Sequence, residues 1–132
     1  MSASTTSYTH ENLTAVEDSA PKFGFAGVQE ARFATDDLDA AETGVSYHRV
    51  AAGKRQGFAH RHDAAEEVYI VIAGTGRMKL DDDIIDVKPL DAIRVAPGVT
   101  RQFEAGPERL DFVVVGTHKP GDGELVHDWW TD

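Results

Sequence analysis

The feature that most constrains this chain is its punctuation. From residue 28 onward, short runs rich in β-branched and aromatic residues alternate with turn formers, and helical periodicity is scarce. The runs expected as strands are 28–34, 45–51, 56–62, 67–72, 76–80, 84–87, 92–95, 100–104 and 110–116. Between them stand Gly53, Gly74 with Gly76, the Asp81–Asp83 triplet, Pro89, Pro97-Gly98, Gly106-Pro107 and Pro120-Gly121. These residues end strands, by tolerating a positive φ or by lacking an N–H to pair. Only Asp36–Ala41, where acidic residues precede Ala-rich sequence, predicts a single helical turn. Short strands at turn spacings of roughly 8–12 residues predict an all-β sandwich or barrel.

Length and charge narrow the setting. A chain of 132 residues suits one domain with one core. With 13 basic and 23 acidic side chains, its net charge of −10 offers no basic surface, so neither nucleic acid nor an anionic membrane is an expected partner. The absence of cysteine excludes disulfides, thiolate zinc sites and thiol nucleophiles, leaving His and carboxylate to hold any metal. The first residues have neither the basic nor the apolar region of a secretory signal. The longest apolar run, Val68–Ala73, is far short of a membrane helix, and the expected compartment is cytoplasmic. Residues 1–22, rich in Ser, Thr and acidic side chains with little to bury, are expected as a mobile N-terminal arm. Residues 23–132 are then the folded domain with a C-terminal tail.

The informative chemistry lies in His60-Arg-His62-Asp-Ala-Ala-Glu66-Glu67-Val-Tyr-Ile-Val-Ile-Ala-Gly74. On a strand, residues i and i+2 share a face, so His60 and His62 present two imidazoles side by side. Glu67 opens the next strand after a tight turn through Asp63–Ala65 and can return beside them. Two imidazoles and one carboxylate suit divalent Fe, Mn, Ni or Zn. The competing reading of His-x-His alone is polar surface at a strand end.

His-x-His, four residues, Glu, six residues, Gly resembles the first motif of the cupin superfamily, and residues from about Arg32 to Val115 resemble a small single-domain cupin. That resemblance implies a double-stranded β-helix, or jelly-roll barrel, with the site inside it. It implies that His60, His62 and Glu67 ligate a metal and that Gly74 makes the following hairpin turn. The chain departs from the pattern elsewhere. Lys54 stands where a Gly is expected, beside Gly53, and of the second motif, over Leu90–Ala105, Gly98 matches and Pro97 keeps the turn. Arg101 occupies the position of a fourth ligand, His in the family, and a guanidinium has no lone pair to give.

Two readings of Arg101 stay open at this level. In one, three ligands keep a metal and Arg101 binds a substrate carboxylate or phosphate through paired hydrogen bonds. In the other, the site is metal-free and Arg101 itself pairs with Glu67, because a Glu inside a barrel needs a compensating charge or proton.

Tyr69 shares strand parity with Glu67 and is a candidate for the same cavity, against the reading of a core aromatic with a satisfied hydroxyl. His48 is either a further pocket histidine or an ordinary core or surface one. Phe58 alternates with His60 and Phe103 with Arg101, so both are expected in an apolar pocket wall. Glu66 should point outward, opposite to Glu67. The Asp81–Asp83 run lacks the spacing of a calcium loop and predicts a hairpin turn. Trp129 and Trp130 suggest a tail docked on the barrel or on a neighbouring subunit. A homodimer paired through sheet edges is expected. The functional expectations are three: a metal-dependent oxygenase, isomerase or lyase acting on a small polar or anionic molecule; a metal-free protein binding such a ligand; or a structural protein with a degenerate site.

Overall fold

The structure, a computed structural model, describes residues 7–132. Ten strands follow one another: β1 (Gln29–Phe33), β2 (Thr43–Val50), β3 (Ala59–His62), β4 (Glu67–Ala73), β5 (Gly76–Leu80), β6 (Asp83–Val87), β7 (Ala92–Val95), β8 (Arg101–Ala105), β9 (Leu110–Thr117) and β10 (Gly123–Val126). They form two antiparallel five-stranded sheets, ordered β1-β2-β9-β4-β7 and β10-β3-β8-β5-β6. This is the jelly-roll, or double-stranded β-helix, that the punctuation and motif predict. No described helix is long and apolar enough to cross a membrane.

Period-two alternation sends Tyr69 and Val71 of β4, Met78 of β5, Phe103 of β8, and Leu110, Phe112 and Val114 of β9 into the space between the sheets. There the rings of Phe103 and Phe112 stack with centroids 4.1 Å apart. Burying each ring stabilises the fold by roughly 2–3 kcal/mol, enough to fix which face of each strand turns inward.

Several sequence expectations are corrected in detail. The helical turn expected over Asp36–Ala41 is a single α-type turn, Leu38 N–H to the Ala34 carbonyl, that goes no further: Ala40 N–H reaches back to Thr35, and Asp39 sits at a φ of 55° that stops propagation. The strand expected over 56–62 begins only at Ala59, because the Gln56 side chain accepts the Phe103 N–H (2.9 Å) that a strand partner would take. Gly74, at a φ of 77°, does not close a hairpin: β4 and β5 lie in different sheets, and the turn carries the chain across. A Cβ there would stand 2.2 Å from the Arg109 carbonyl oxygen. The Asp81-Asp82 hairpin turn is as expected, linking β5 to β6.

Of the arm expected over 1–22, residues 1–6 lie outside the described residues. The remainder has more to bury than its composition suggests. Short 3-10 turns at Leu13–Ala15 and Ala20–Phe23 flank Asp18, whose carboxylate accepts from Ala20 and Ala31, and Val16 and Ala20 are buried. Two small apolar side chains and an Asp tie are sufficient, where composition registered only polarity. At the other end, Trp130 is buried on this chain's own barrel. The Arg55 guanidinium lies 4.2 Å over its ring and donates to the carbonyls of Trp130 and Asp132, both at 2.7 Å.

Candidate metal centre and pocket

β3 supplies His60 and His62 on one face, their rings edge to face with centroids 5.4 Å apart. β4 opens with Glu67 beside Gly116 of β9, where a Cβ would come within 3.1 Å of the Glu67 Cγ. One carboxylate oxygen, Glu67 Oε1, is the focus of the site. His62 Nε2 stands 3.3 Å from it and His60 Nε2 3.6 Å. The Tyr69 hydroxyl donates to it at 2.9 Å and Arg101 Nη2 at 2.5 Å.

The electrostatics follow from this crowding. Burial alone would raise the Glu67 carboxyl, but His60, His62 and Arg101 around it hold it far below the usual carboxylate range. Burial lowers His60, and the Arg101 charge adds to that effect against the pull of Glu67. His62 is raised by Glu67 beside it. Tyr69 is raised by burial and by the Glu67 charge, so its phenol keeps its proton. The centre is therefore a fixed carboxylate, a charged guanidinium behind it and two imidazoles in front.

His60, His62 and Glu67 each offer one ligand atom, all within 4.8 Å of one another. With metal–ligand bonds near 2.1 Å, neighbouring ligand atoms sit roughly 3.0–3.4 Å apart around a six- or four-coordinate ion. The two His–Glu separations have that scale, and the donor set fits a borderline divalent ion.

A profile of the cupin domain family matches residues 46–116, more than half of the chain. The chain belongs to the cupin family. None of the curated proteins matches it. Among solved structures it resembles a cupin protein from Bacteroides fragilis at 22% identity and a TM-score of 0.69, with 88% of each chain covered. It also resembles a sugar phosphate isomerase from Silicibacter pomeroyi at 16% identity and 0.68, covering 91% of this chain and 93% of that one. The polyketide cyclase RemF from Streptomyces resistomycificus matches at 19% identity and 0.68, covering 94% and 87%. At such identities the likeness establishes the fold.

In this cupin a cavity of about 330 Å3 opens beside the centre, lined by His60, His62, Glu67, Tyr69, His48 and Phe58 among others. Two expected pocket residues lie elsewhere. Phe103 has the right parity but sits one inward position deeper, packed against Phe112 and Tyr69 in the core. Arg101 is 1% exposed and approaches Glu67 from the core side, donating also to the Tyr69 hydroxyl (3.0 Å) and the Val99 carbonyl (2.8 Å). It is too enclosed to clamp a substrate carboxylate.

One participant escaped sequence reasoning. Asp122, in the turn before β10, places Oδ2 3.3 Å from His62 Nδ1, and its two oxygens accept from the Ala64 and Ala65 amides. A carboxylate behind an imidazole favours the tautomer whose Nε2 lone pair faces the site. The alternation of Gly123-Glu-Leu-Val126 after Pro120-Gly121 was the available signal, short and half polar. Gly123 pairs with His62 and Leu125 with His60, so this overlooked strand forms one wall of the site.

Proposed function

We propose that this cupin holds a divalent transition metal on His60, His62 and Glu67 and acts on, or binds, a small polar or anionic organic molecule in the adjoining cavity. The observation that carries this reading is the convergence of the three ligand atoms at the cavity wall while Arg101 and Tyr69 hold Glu67 from the opposite side. Fe, Mn, Ni and Zn all suit the donor set; the bound ion would supply Lewis-acid polarisation or, for a redox metal, oxygen activation.

The chain's own residues prepare the site. Arg101 and Tyr69 fix the Glu67 carboxylate in its ionised form and one orientation, and the Asp122 carboxylate stands behind the His62 ring, 3.3 Å from Nδ1. The Phe58 side of the cavity provides an apolar wall that limits water around a bound molecule. Structures of like fold include a sugar phosphate isomerase and a polyketide cyclase, which is in keeping with small-molecule chemistry.

A second reading has its own observation. The 2.5 Å Arg101–Glu67 pair already compensates the buried carboxylate, so a metal-free ligand-binding site is electrostatically complete. Elemental analysis of the purified protein separates the two. The metal reading expects close to one equivalent of transition metal per chain, falling below about a tenth in His60→Ala. Less than a tenth in the wild type, with no rise in Tm on adding any of the four metals, establishes the metal-free reading instead.

A further inference from the structure

The cavity carries more information than its size. Phe23, Phe33 and Leu125 are 51%, 53% and 47% exposed, and all three face its opening. They come from a 3-10 turn, from β1 and from β10, so three separate segments bring large apolar side chains to one mouth. Inside, ring follows ring. Phe23 stands edge-on to Phe58 (5.9 Å), Phe33 edge-on to His48 (5.7 Å), and His48 lies flat against Phe112 (5.1 Å, 14°). The polar interruption on the β2 wall is one bonded pair, Ser46 Oγ with His48 Nε2 at 2.8 Å. Burial holds His48 at about 4, so near neutral pH this pair hydrogen-bonds without carrying charge.

Cationic recognition is sparse by contrast. Among the described residues lining the cavity, Lys119 is the only Lys or Arg, and it shares the rim with Glu124. Arg101, the buried guanidinium, is committed to Glu67, Tyr69 and Val99. A phosphate would find no forked donor, and of the polar side chains on the lining Gln29, Gln56 and Thr35 already accept from the Gly57, Phe103 and Val45 amides.

We propose that the pocket selects a flat, ring-containing molecule with an apolar body and an oxygen-bearing end, the body between Phe23, Phe33 and Leu125 and the oxygens toward the His60/His62/Glu67 centre. This rests on the metal-centre reading above and narrows its ligand to one whose polarity is confined to the end that meets the centre. Aromatic faces and edges reward a second planar ring by area and by ring–ring geometry, whereas a hydrated sugar gains neither.

The test uses the full chain, loaded with zinc, and three probes titrated by calorimetry: 2,3-dihydroxynaphthalene, catechol and glucose 6-phosphate. The naphthalene diol should bind about tenfold tighter than catechol, the gain of one buried ring, and glucose 6-phosphate should show no saturable binding. Phe33→Ala and Phe23→Ala should each weaken the naphthalene diol about tenfold, with zinc content unchanged. Both rings are about half exposed, so the barrel folds without either. Glucose 6-phosphate binding as tightly as the naphthalene diol overturns the proposal, as does indifference of that diol to both substitutions. A change of oligomeric state in Phe33→Ala with unaltered diol affinity also overturns it, assigning the mouth to a second copy of the chain. Repeating the titrations with EDTA separates the two levels. A naphthalene preference that needs Phe33 but no zinc sustains the ligand class and overturns the placing of its oxygens on the metal, while zinc content alone decides the metal reading. Full zinc loading without a naphthalene preference sustains the metal and removes the ligand class.

Discussion

The two ends of the barrel interior differ by one inward position on the same strands. On β4 the inward series runs Glu67, Tyr69, Val71; on β8 it runs Arg101, Phe103, Ala105. At one end charge is concentrated, with each group held by another. At the other, Val71, Phe103, Leu110 and Phe112 are buried together, with the His48 ring stacked on Phe112. Tyr69 is the border: its hydroxyl belongs to the Glu67–Arg101 pair, and its ring sits 5.3 Å from Phe103 and 5.9 Å from Phe112. The difference teaches that the site does not hold the barrel together. The sealed end supplies the stability, and the charged end is tolerated because its members satisfy one another.

The sharpest way to break this contrast is from below. Phe112→Ala should cost about 4 kcal/mol in urea unfolding, because it removes a buried ring and leaves a cavity, while the surviving folded protein keeps its metal content. Slightly smaller, Arg101→Met should cost about 3 kcal/mol after EDTA treatment, since it leaves Glu67 enclosed without its main countercharge. The double variant Arg101→Met/Glu67→Gln should regain about 2 kcal/mol of that, which an independent, non-coupled pair would not show. The third effect is a pH dependence. His48 stays neutral down to about 4 in the folded chain and takes up a proton near 6.5 when unfolded. Stability is therefore undiminished by this group above pH 6.5 and falls as pH drops toward 4, by on the order of 2–3 kcal/mol. Denaturation curves between pH 7 and 4 should lose that component in His48→Gln.

How much of this was legible before any coordinates can be argued residue by residue. The strands from β4 to β9 were readable because runs rich in β-branched and aromatic residues end at turn formers there, as Val68–Ala73 does before Gly74. β10 was missed because it is four residues long, three of them exposed, and any alternation in its sequence is too short to stand out. The docked N-terminal segment was missed because Val16 and Ala20 are too few to register as a pattern. At the site, strand parity and a short turn brought His60, His62 and Glu67 together, and the resemblance of their spacing to the cupin motif singled them out as ligands. Arg101 was located but its direction was not, since parity says that a side chain points inward and not whether it reaches a cavity or the atoms behind it. Phe23, Phe33 and Leu125 share a mouth only through the closure of two sheets, a relation that no local pattern carries.

The pairing of β3 has a consequence for the order in which the molecule is assembled. β3 meets β8 at a single register, His60 opposite Arg101, whereas β10 covers it along its whole length from Ala59 to His62. While the chain is being synthesised, every strand of the sealed core is available once Thr117 has emerged, yet the histidine strand still lacks its outer neighbour. Only when synthesis has passed Val126 are both imidazoles framed and Asp122 set behind His62. In order of synthesis, the strands of the buried core thus precede the strand that frames the two histidines.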